Sequence, residues 1–384
     1  MTAGGPDFPA QAADLARLSE RSRRRTLSPQ AGIDFSSNDY LGLSRSPLLA
    51  EAAREALDRG VPIGSGGSRL LRGNCPEHEA LEAEAAAFFG CQRALWFSSG
   101  FAANETLFST LPQRGDLIVY DELVHASAHE GMRIGRAETV AVAHNRADAF
   151  EGAIRQWRAG GATGRAWLAV ESLYSMDGDV APLDELAAIA DRHDAVLLID
   201  EAHSTGVFGP DGRGLAAHLE GRDNVITLRT CGKALGVEGA LVCGPAVVAD
   251  FLVNRGRGFI FSTAPSPLIA AITRAALRLM VEAPALREGL WRRIALAEKV
   301  FAPLGATVTG SQILPLVVGD DALAMELAGK VQAAGFDVRG IRPPTVPTGT
   351  SRLRITITNN ASEDDIAGLA ALLERLHQPC TVMS

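Results

Sequence analysis

Short apolar runs alternate with helix-period segments through most of the 384 residues of this chain. Seven runs are bounded by turn residues and are predicted to be strands, at residues 94–97, 117–120, 139–143, 167–170, 196–199, 225–228 and 240–243. Segments with helical periodicity lie between several of them, at 77–89, 148–158 and 182–192. Strands that alternate with helices predict an α/β fold, in which helices cover both faces of a mostly parallel sheet.

The pattern changes after about residue 265. A long apolar-periodic stretch leads towards residue 301 and predicts a connecting helix. Two strand-like segments (313–318 and 352–357) and two helical ones (322–334 and 363–376) follow, and they predict a compact α+β domain. The predicted division is an N-terminal segment 1–45, a large domain 46–264, a connecting helix 265–304 and a small C-terminal domain 305–384.

Composition excludes several functional classes. The formal net charge is -8 and no basic stripe appears, so nucleic acid is not expected as a partner. The N-terminus has no apolar leader, and no run approaches the ~18 residues of a membrane span. Five cysteines without a CxxC pair favour reduced thiols in a cytoplasm, and the eight histidines lack metal-ligand spacing.

Two loop features follow predicted strands, at the edge where open α/β sheets bind ligands. The segment SSGFAANE (98–105) opens a helix with small residues, so its N–H groups can converge on an anion. A plain strand-to-helix turn has the same pattern. Asp200 ends a fully apolar strand and is followed by His203, although an acid at this position can equally be a helix cap. Neither feature identifies a function by itself.

Two further features are richer in cations. In TCGKALG (230–236), Lys233 stands among glycines and small residues at the end of a buried strand. A surface lysine does not need such small neighbours, whereas a lysine that meets a bulky molecule at close range does. The fourth feature is the proline-rich turn after Arg342, which leads to a strand with Arg352 and Arg354. Arginines on a strand often lie simply on its exposed face.

Together the four features fit the chemistry of pyridoxal phosphate. A lysine amine in a tight pocket forms a Schiff base with an aldehyde when burial or nearby cations lower its pKa. An aspartate that faces the pyridine nitrogen keeps it protonated, which keeps the ring an electron sink. A glycine-led helix start binds the phosphate. We therefore expect Lys233, Asp200 and residues 98–105 to form one cofactor site.

The ordered motifs resemble those of the α-oxoamine synthases, a class II aminotransferase-like branch of the fold-type I pyridoxal-phosphate enzymes. The resemblance runs from about residue 15 to residue 376. Its markers are FSSNDYLGL (35–43), GSGGSR (64–69), SSGFAAN (98–104), HAS (125–127), ESLYSMDGD (171–179), DEAHSTG (200–206), TCGKALG (230–236) and IRPPTVPTGTSRLR (341–354). It implies a fold-type I transferase with a seven-stranded, mostly parallel sheet.

The resemblance also implies roles for individual residues in binding the cofactor. Lys233 would hold the aldehyde and later move the Cα proton of the substrate. Asp200 would pair with the pyridinium nitrogen, His203 would contact the phenolic oxygen, and His125 would stack on the ring. Five other residues are expected beside the cofactor: Gly100, Phe101, Glu171, Ser175 and Thr230.

Substrate contacts are implied in the same way. Arg342 would bind the amino acid carboxylate, with Asn38 and Thr345 nearby. Arg23 matches the arginine that meets the acyl donor, although its neighbours Arg24 and Arg25 remain alternatives.

The implied activity is a decarboxylative condensation of an amino acid with an acyl thioester. The PPTVP turn and Ser68 favour L-alanine with a pimeloyl thioester, on coenzyme A or on acyl carrier protein, as in biotin biosynthesis. Glycine or serine with another acyl-CoA is an alternative, and a non-catalytic subunit is a third possibility that the filled motif positions disfavour. Leu70, Leu71 and Arg72 depart from the family pattern near the substrate end. A homodimer with its site at the interface is also implied.

Overall fold

The structure of the protein is a computed structural model that describes residues 8–377. The outermost parts of the two predicted terminal segments, with Cys380, lie outside these residues. Strands are β1 (Ile33–Asp34), β2 (Arg93–Phe97), β3 (Leu117–Asp121), β4 (Glu138–Val142), β5 (Ala166–Glu171), β6 (Val196–Asp200), β7 (Val225–Thr230), β8 (Ala240–Gly244), β9 (Ile313–Gly319), β10 (Phe336–Asp337), β11 (Arg339–Ile341) and β12 (Ser351–Thr356).

Helices occupy most of the remaining chain. They are α1 (Pro9–Glu20), α2 (Pro47–Asp58), α3 (Pro76–Phe89), α4 (Gly100–Thr110), α5 (Ala126–Ile134), α6 (Ala147–Ala159), α7 (Leu183–Arg192), α8 (Ala246–Arg255), α9 (Arg257–Ile260), α10 (Pro267–Glu282), α11 (Ala285–Phe301), α12 (Asp321–Ala333) and α13 (Glu363–His377).

Contacts group the chain into two compact units. The first unit consists of residues up to 37, residues 176–178 and residues from 289 onwards, and the second unit consists of residues 38–175 and 179–288. The boundaries predicted from the sequence, at 45, 264 and 304, differ from this division, and they stay a prediction of domain organisation.

The second unit contains a seven-stranded sheet in the order β2-β8-β7-β6-β5-β3-β4. Strand β8 pairs antiparallel with both β2 and β7, and the other pairs are parallel. All seven predicted strands are present, so the predicted mostly parallel α/β sheet is confirmed. The chain passes from β4 at one edge back across β3 to β5, and this change of direction leaves a crevice at the carboxyl ends of the strands.

Helices bury both faces of this sheet. In β6, Leu198 packs into one apolar core, while Leu197 and Ile199 pack into the core on the opposite face. Successive side chains of a strand point to opposite faces, so a strand covered on both sides must be apolar at every position. This requirement explains why the central runs show no alternation of polar and apolar residues.

The first unit has two small sheets. Strands β11, β12 and β9 form an antiparallel sheet in that order, and β1 pairs in parallel with β10. Helices α12 and α13 contribute buried apolar residues, such as Ala328 and Leu369. The elements predicted after residue 305 are therefore present as two helices and an antiparallel sheet.

The predicted connecting helix is wrong in one respect, because two helices replace it. Helix α10 ends at Glu282, and α11 begins at Ala285. Pro284 stands between them; it has no N–H to donate, and it disfavours a helical conformation at Ala283. The apolar periodicity of the segment continues through this break, so periodicity alone predicts one helix.

Two further observations concern the length of the helices and the state of the cysteines. No helix within residues 8–377 combines the length and the apolar character needed to cross a membrane. The four cysteines in this part of the chain, Cys75, Cys91, Cys231 and Cys243, are free thiols.

Candidate active site

A cavity of about 170 Å³ lies at the carboxyl ends of the central strands of the second unit. Most of the predicted cofactor residues line it: Gly100, Phe101, His125, Glu171, Asp200, His203, Thr230 and Lys233. Asn104, Ser127, Ala202 and Leu228 complete the wall. Ser175 is adjacent, because its N–H donates to Glu171 Oε2 at 3.2 Å. The structure thus brings the predicted set together, while the role of each residue stays a prediction.

The loop that carries Lys233 is tightly folded. The Cys231 N–H donates to the Gly239 carbonyl at 2.8 Å, and the Gly236 N–H donates to the Lys233 carbonyl at 2.9 Å. Gly236 has φ +69°, and a Cβ there would lie 2.5 Å from the backbone carbon of Leu43. Only glycine fits this left-handed, crowded position. Gly236 therefore serves the close packing of the loop that carries Lys233.

A hydrogen-bonded chain leads away from the lysine amine. Lys233 Nζ lies 2.6 Å from His203 Nε2, and His203 Nδ1 lies 2.6 Å from the Tyr40 hydroxyl. Tyr40 donates in turn to Asn38 Oδ1 at 3.1 Å. If the Tyr40 proton goes to Asn38, the hydroxyl can accept from His203 Nδ1–H, which leaves Nε2 to accept from Lys233. His203 can therefore accept a hydrogen bond from the Lys233 amine and hold it in place.

Asp200 is held in a single position at the end of β6. Asn104 Nδ2 donates to Oδ2 at 2.7 Å, and the Ala202 N–H donates to Oδ1 at 2.9 Å. Each of its oxygens therefore accepts a hydrogen bond, which fixes the orientation of the carboxyl group.

Glu171 ends β5 and is almost fully buried. Burial is the main cause that raises the pKa of Glu171 to about 8, and the nearby Asp200 carboxylate adds to it. The Lys233 amine and the Ser175 N–H act in the opposite direction. At neutral pH we therefore expect Glu171 to be protonated.

His125 caps the start of α5, where its Nδ1 lies 2.8 Å from Ser127 Oγ. Burial lowers the pKa of His125, the Asp200 carboxylate raises it, and the Lys233 amine lowers it. The imidazole is thus neutral at pH 7, as suits a ring that stacks on an aromatic cofactor.

The first turn of α4 supplies the predicted anion-binding end of the cavity. Ser99 caps the helix by accepting from the Ala102 N–H at 3.1 Å, so Gly100 and Phe101 begin it. A Cβ on Gly100 would lie 3.7 Å from Thr230 Oγ1, which places the end of β7 against this turn. Unpaired N–H groups and the helix dipole together favour an anion at such a site.

A charged cluster that the sequence did not reveal fixes the neighbouring loops. His144 Nδ1 lies 2.9 Å from Asp121 Oδ1, and His144 Nε2 lies 2.7 Å from Asp179 Oδ2. Both ring nitrogens face carboxylates, so both must donate. The ring must therefore carry a proton on each nitrogen, as the imidazolium cation does. Burial alone would lower the pKa of His144, but the bonds to both carboxylates raise it to about 10. This contact ties the loop after β5 to the ends of β3 and β4.

The His144 cluster predicts how stability depends on pH. The pKa of His144 rises from 6.5 to about 10 on folding, so its contribution is complete below pH 6.5. The free energy of unfolding should then fall as the pH rises from 6.5 to 10. Chemical denaturation at several pH values should show a steeper fall for the wild type than for His144→Gln. Parallel curves for the two proteins would contradict a protonated His144.

The residues that depart from the family pattern lie in a loop closed on itself. The N–H groups of Leu71 and Gly73 both donate to the Ser68 carbonyl, at 3.0 and 2.9 Å. Leu70 is 51% exposed and Leu71 is 81% exposed. Their place near the substrate end, which the resemblance implies, stays a prediction.

Three of the predicted substrate residues belong to the first unit. Arg342 donates to Met325 Sδ at 2.8 Å and to the Arg24 carbonyl at 3.0 Å. Thr345 accepts from Arg25 at 3.3 Å. Arg23 donates to Asp321 at 2.7 Å and forms an ion pair with it. Asn38, the fourth residue, belongs to the second unit and accepts from Tyr40.

Asn104, Ser127 and Tyr40 are site residues to which no role was assigned from the sequence. All three lie inside the quoted motifs. Asn104 offered a usable signal, because it falls on the same face of α4 as the buried Leu107 and Phe108, three and four positions on. An amide on the apolar face of a helix needs a hydrogen-bonding partner in the core.

Comparison with known proteins agrees with this arrangement. The model of the class I and II aminotransferases matches residues 30–373. An 8-amino-7-oxononanoate synthase of Geobacter sulfurreducens is 40% identical over 383 residues, which cover 95% of this chain and 97% of the relative. The chain belongs to this synthase family. It is therefore a pyridoxal-phosphate-dependent acyltransferase within the class I and II aminotransferases.

Solved structures of the same fold extend this result. Serine palmitoyltransferase of S. paucimobilis, with a bound adduct of pyridoxal phosphate and myriocin, has a TM-score of 0.86 and 27% identity, and 96% of each chain is covered. 8-Amino-7-oxononanoate synthase of Francisella tularensis has a TM-score of 0.76 and 28% identity, over 90% of this chain and 97% of that one. The fold-type I assignment is confirmed.

The cavity residues fit the family's cofactor. Lys233 would supply the amine, Asp200 would lie at a strand end facing the ring nitrogen, and the first turn of α4 would offer a place for the phosphate. Asn104 Oδ1 and Glu171 Oε1 are buried without a hydrogen-bond partner among the described residues. These two atoms of the cavity wall can therefore still form hydrogen bonds.

Proposed function

We propose that the chain condenses L-alanine with a pimeloyl thioester and releases 8-amino-7-oxononanoate, CO2 and the carrier thiol, a step of biotin biosynthesis. The observation that carries the proposal is the cavity shared by Lys233, Asp200, His203 and the start of α4. It occurs in a chain 40% identical to an 8-amino-7-oxononanoate synthase over almost the whole length of both proteins.

When bound, pyridoxal phosphate supplies an aldehyde that captures an amine and a ring that withdraws the electron pair left on Cα. Asp200 would keep the ring nitrogen protonated, and His125 would stack on one face. Gly100, Phe101 and Thr230 would hold the phosphate. His203, hydrogen-bonded to Lys233, would also reach the phenolic oxygen.

Lys233 would act as the base that removes the alanine Cα proton. The freed electron pair attacks the thioester carbonyl, the C–S bond breaks, and the thiol leaves. Loss of CO2 from the former alanine carboxylate then leaves an electron pair on the same carbon, and a proton returns to it. Because Lys233 Nζ is 2.6 Å from His203 Nε2, His203 would accept and return the proton that the lysine carries between these steps.

A second candidate pairs serine with a long acyl thioester. It is favoured by the TM-score of 0.86 with serine palmitoyltransferase, although the identity to that enzyme is only 27%. Purified holoenzyme tested with alanine, glycine and serine against a panel of acyl thioesters separates the two. We expect thiol release to be fastest with alanine and a pimeloyl thioester, on coenzyme A or on acyl carrier protein. Fastest release with serine and a long chain would overturn the assignment.

Arg342→Lys tests the proposed carboxylate contact. Arg342 Nε is buried and has no hydrogen-bond partner among the described residues, so a donor remains for a ligand. Lysine keeps the charge but loses the planar fork, so alanine affinity and turnover should both fall about tenfold or more. Cofactor absorbance without alanine should not change. Alanine titrations that match the wild type would show that another arginine, such as Arg352 or Arg354, holds the carboxylate.

We also propose a cytoplasmic homodimer, as the family resemblance implies. Light scattering of the purified holoenzyme should give twice the mass of the 40.4 kDa chain. A mass of one chain for an active enzyme would contradict this.

A further inference from the structure

Two buried carboxyl groups, those of Glu171 and Asp200, end neighbouring strands. Their residues are directly paired in the parallel register of β5 with β6. Glu171 is 3% exposed and Asp200 is 9% exposed. Two negative charges so close together in a buried site repel each other strongly, and such a pair titrates as a unit with one proton retained.

Hydrogen bonds are distributed unequally between the two groups. Asp200 accepts from Asn104 Nδ2 at 2.7 Å and from the Ala202 N–H at 2.9 Å. Glu171 accepts from the Ser175 N–H at 3.2 Å, and its Oε1 has no partner among the described residues. Donors stabilise the charged form of a carboxyl group, so the charge belongs on Asp200 and the proton on Glu171.

Asn104 also determines where that proton points. One amide hydrogen goes to Asp200, and the other goes to Ser127 Oγ at 3.0 Å. Asn104 Oδ1 can therefore only accept, and it is buried without a partner among the described residues. Asn104 and Glu171 line one small cavity of about 10 Å³, close to the space that a single water needs. A protonated Glu171 can donate towards Asn104 Oδ1 through one water in this cavity, whereas a carboxylate would leave both buried oxygens as acceptors without a donor.

We propose that Asn104 and Glu171 are positioning residues that keep the single proton of this carboxyl pair on Glu171, so that Asp200 alone carries the negative charge towards the cofactor. The inference rests on the proposed function for the role of Asp200. The charged groups that face Glu171 are Asp200, Lys233 and Asp121, and His125 lines the same small cavity.

Infrared spectroscopy of the holoenzyme observes this proton directly. A protonated carboxyl group has a C=O band that a carboxylate lacks, and 13C labelling of glutamate or of aspartate shows which residue type carries it. At pH 7 the acid band should shift with labelled glutamate and should be absent from Glu171→Gln. In the wild type it should disappear as the pH rises through about 8. No acid band at pH 7, or a band unchanged in Glu171→Gln, would overturn the inference.

Asn104→Leu tests whether the amide orders the proton, with Ser127→Ala as the matched control. The control keeps the hydrogen bond from Asn104 to Asp200. Its acid C=O band should therefore still shift with labelled glutamate. In Asn104→Leu at least part of the acid band should shift with 13C-labelled aspartate, because the proton then resides partly on Asp200. The kcat of Asn104→Leu should fall about tenfold or more, with a smaller change in KM for the amino acid.

An Asn104→Leu spectrum identical to that of Ser127→Ala would overturn the role of the amide. Borohydride fixation of the cofactor on Lys233 depends on neither Asn104 nor the proton of Glu171. If fixation succeeds while the infrared tests fail, the proposed function stands and only this inference falls.

Discussion

Lys233→Ala should still bind pyridoxal phosphate but should form no borohydride-reducible bond with it. The first turn of α4, Asp200 and His125 remain in place to hold the cofactor, whereas the amine is gone. Turnover should fall by about 10²-fold or more, since the proposed base for the Cα proton is lost as well.

The chain is well suited to this experiment, because it contains only three lysines, Lys233, Lys299 and Lys330. The other two belong to the first unit, and Lys330 pairs with Glu326 at 2.7 Å. Peptide mass spectrometry after reduction should place the cofactor on Lys233 in the wild type and in the control Lys330→Ala. A label on Lys299, Lys330 or the N-terminus of the wild type would show that the lysine is wrongly assigned.

Asp200→Asn should preserve the fold and lower turnover by about 10²-fold or more. Asparagine is nearly isosteric, and its amide can keep one contact with Asn104 after reorientation. It cannot supply the negative charge that keeps the pyridine nitrogen protonated, and several kcal/mol of barrier is the expected cost. Single-turnover kinetics with alanine, monitored by cofactor absorbance, would locate the loss in proton removal from Cα.

A matched control separates charge from packing. Thr230→Ser changes a residue of the same cavity without altering any charge. Its turnover should therefore fall much less than that of Asp200→Asn. Near-normal turnover in Asp200→Asn would remove this aspartate from the mechanism. A circular dichroism spectrum that differs from the wild type would instead show that the variant is misfolded, and Asp200→Glu would then be the informative change.

The sheet could be predicted because each of its strands has a strong local signal. Strands covered on both faces need an unbroken apolar run, and the runs at 167–170 in β5 and 196–199 in β6 have this character. The placing of Asp200 beside Lys233 follows from the same logic, since the carboxyl ends of β6 and β7 meet at one edge. Residues at the ends of parallel strands converge even when many positions separate them in the chain.

Contacts between loops could not be predicted in this way. The His144 cluster joins Asp121 and Asp179, which lie 23 and 35 positions from it and belong to no common periodic pattern. Its formation depends on the turns after β3, β4 and β5. The break between α10 and α11 was missed for the opposite reason, because the apolar period continues across Pro284 and outweighs the proline signal.

Isotope-labelled alanine gives the most direct test of the condensation. The holoenzyme is supplied with a pimeloyl thioester and with L-alanine labelled either at the carboxyl carbon or at the methyl carbon. The carboxyl label should appear in CO2 and the methyl label in 8-amino-7-oxononanoate, each in equal amount to the thiol released. Transfer of both labels to pyruvate would indicate an aminotransferase, and return of both in alanine without thiol release would show that no acyl transfer occurs; either result would contradict the proposed function.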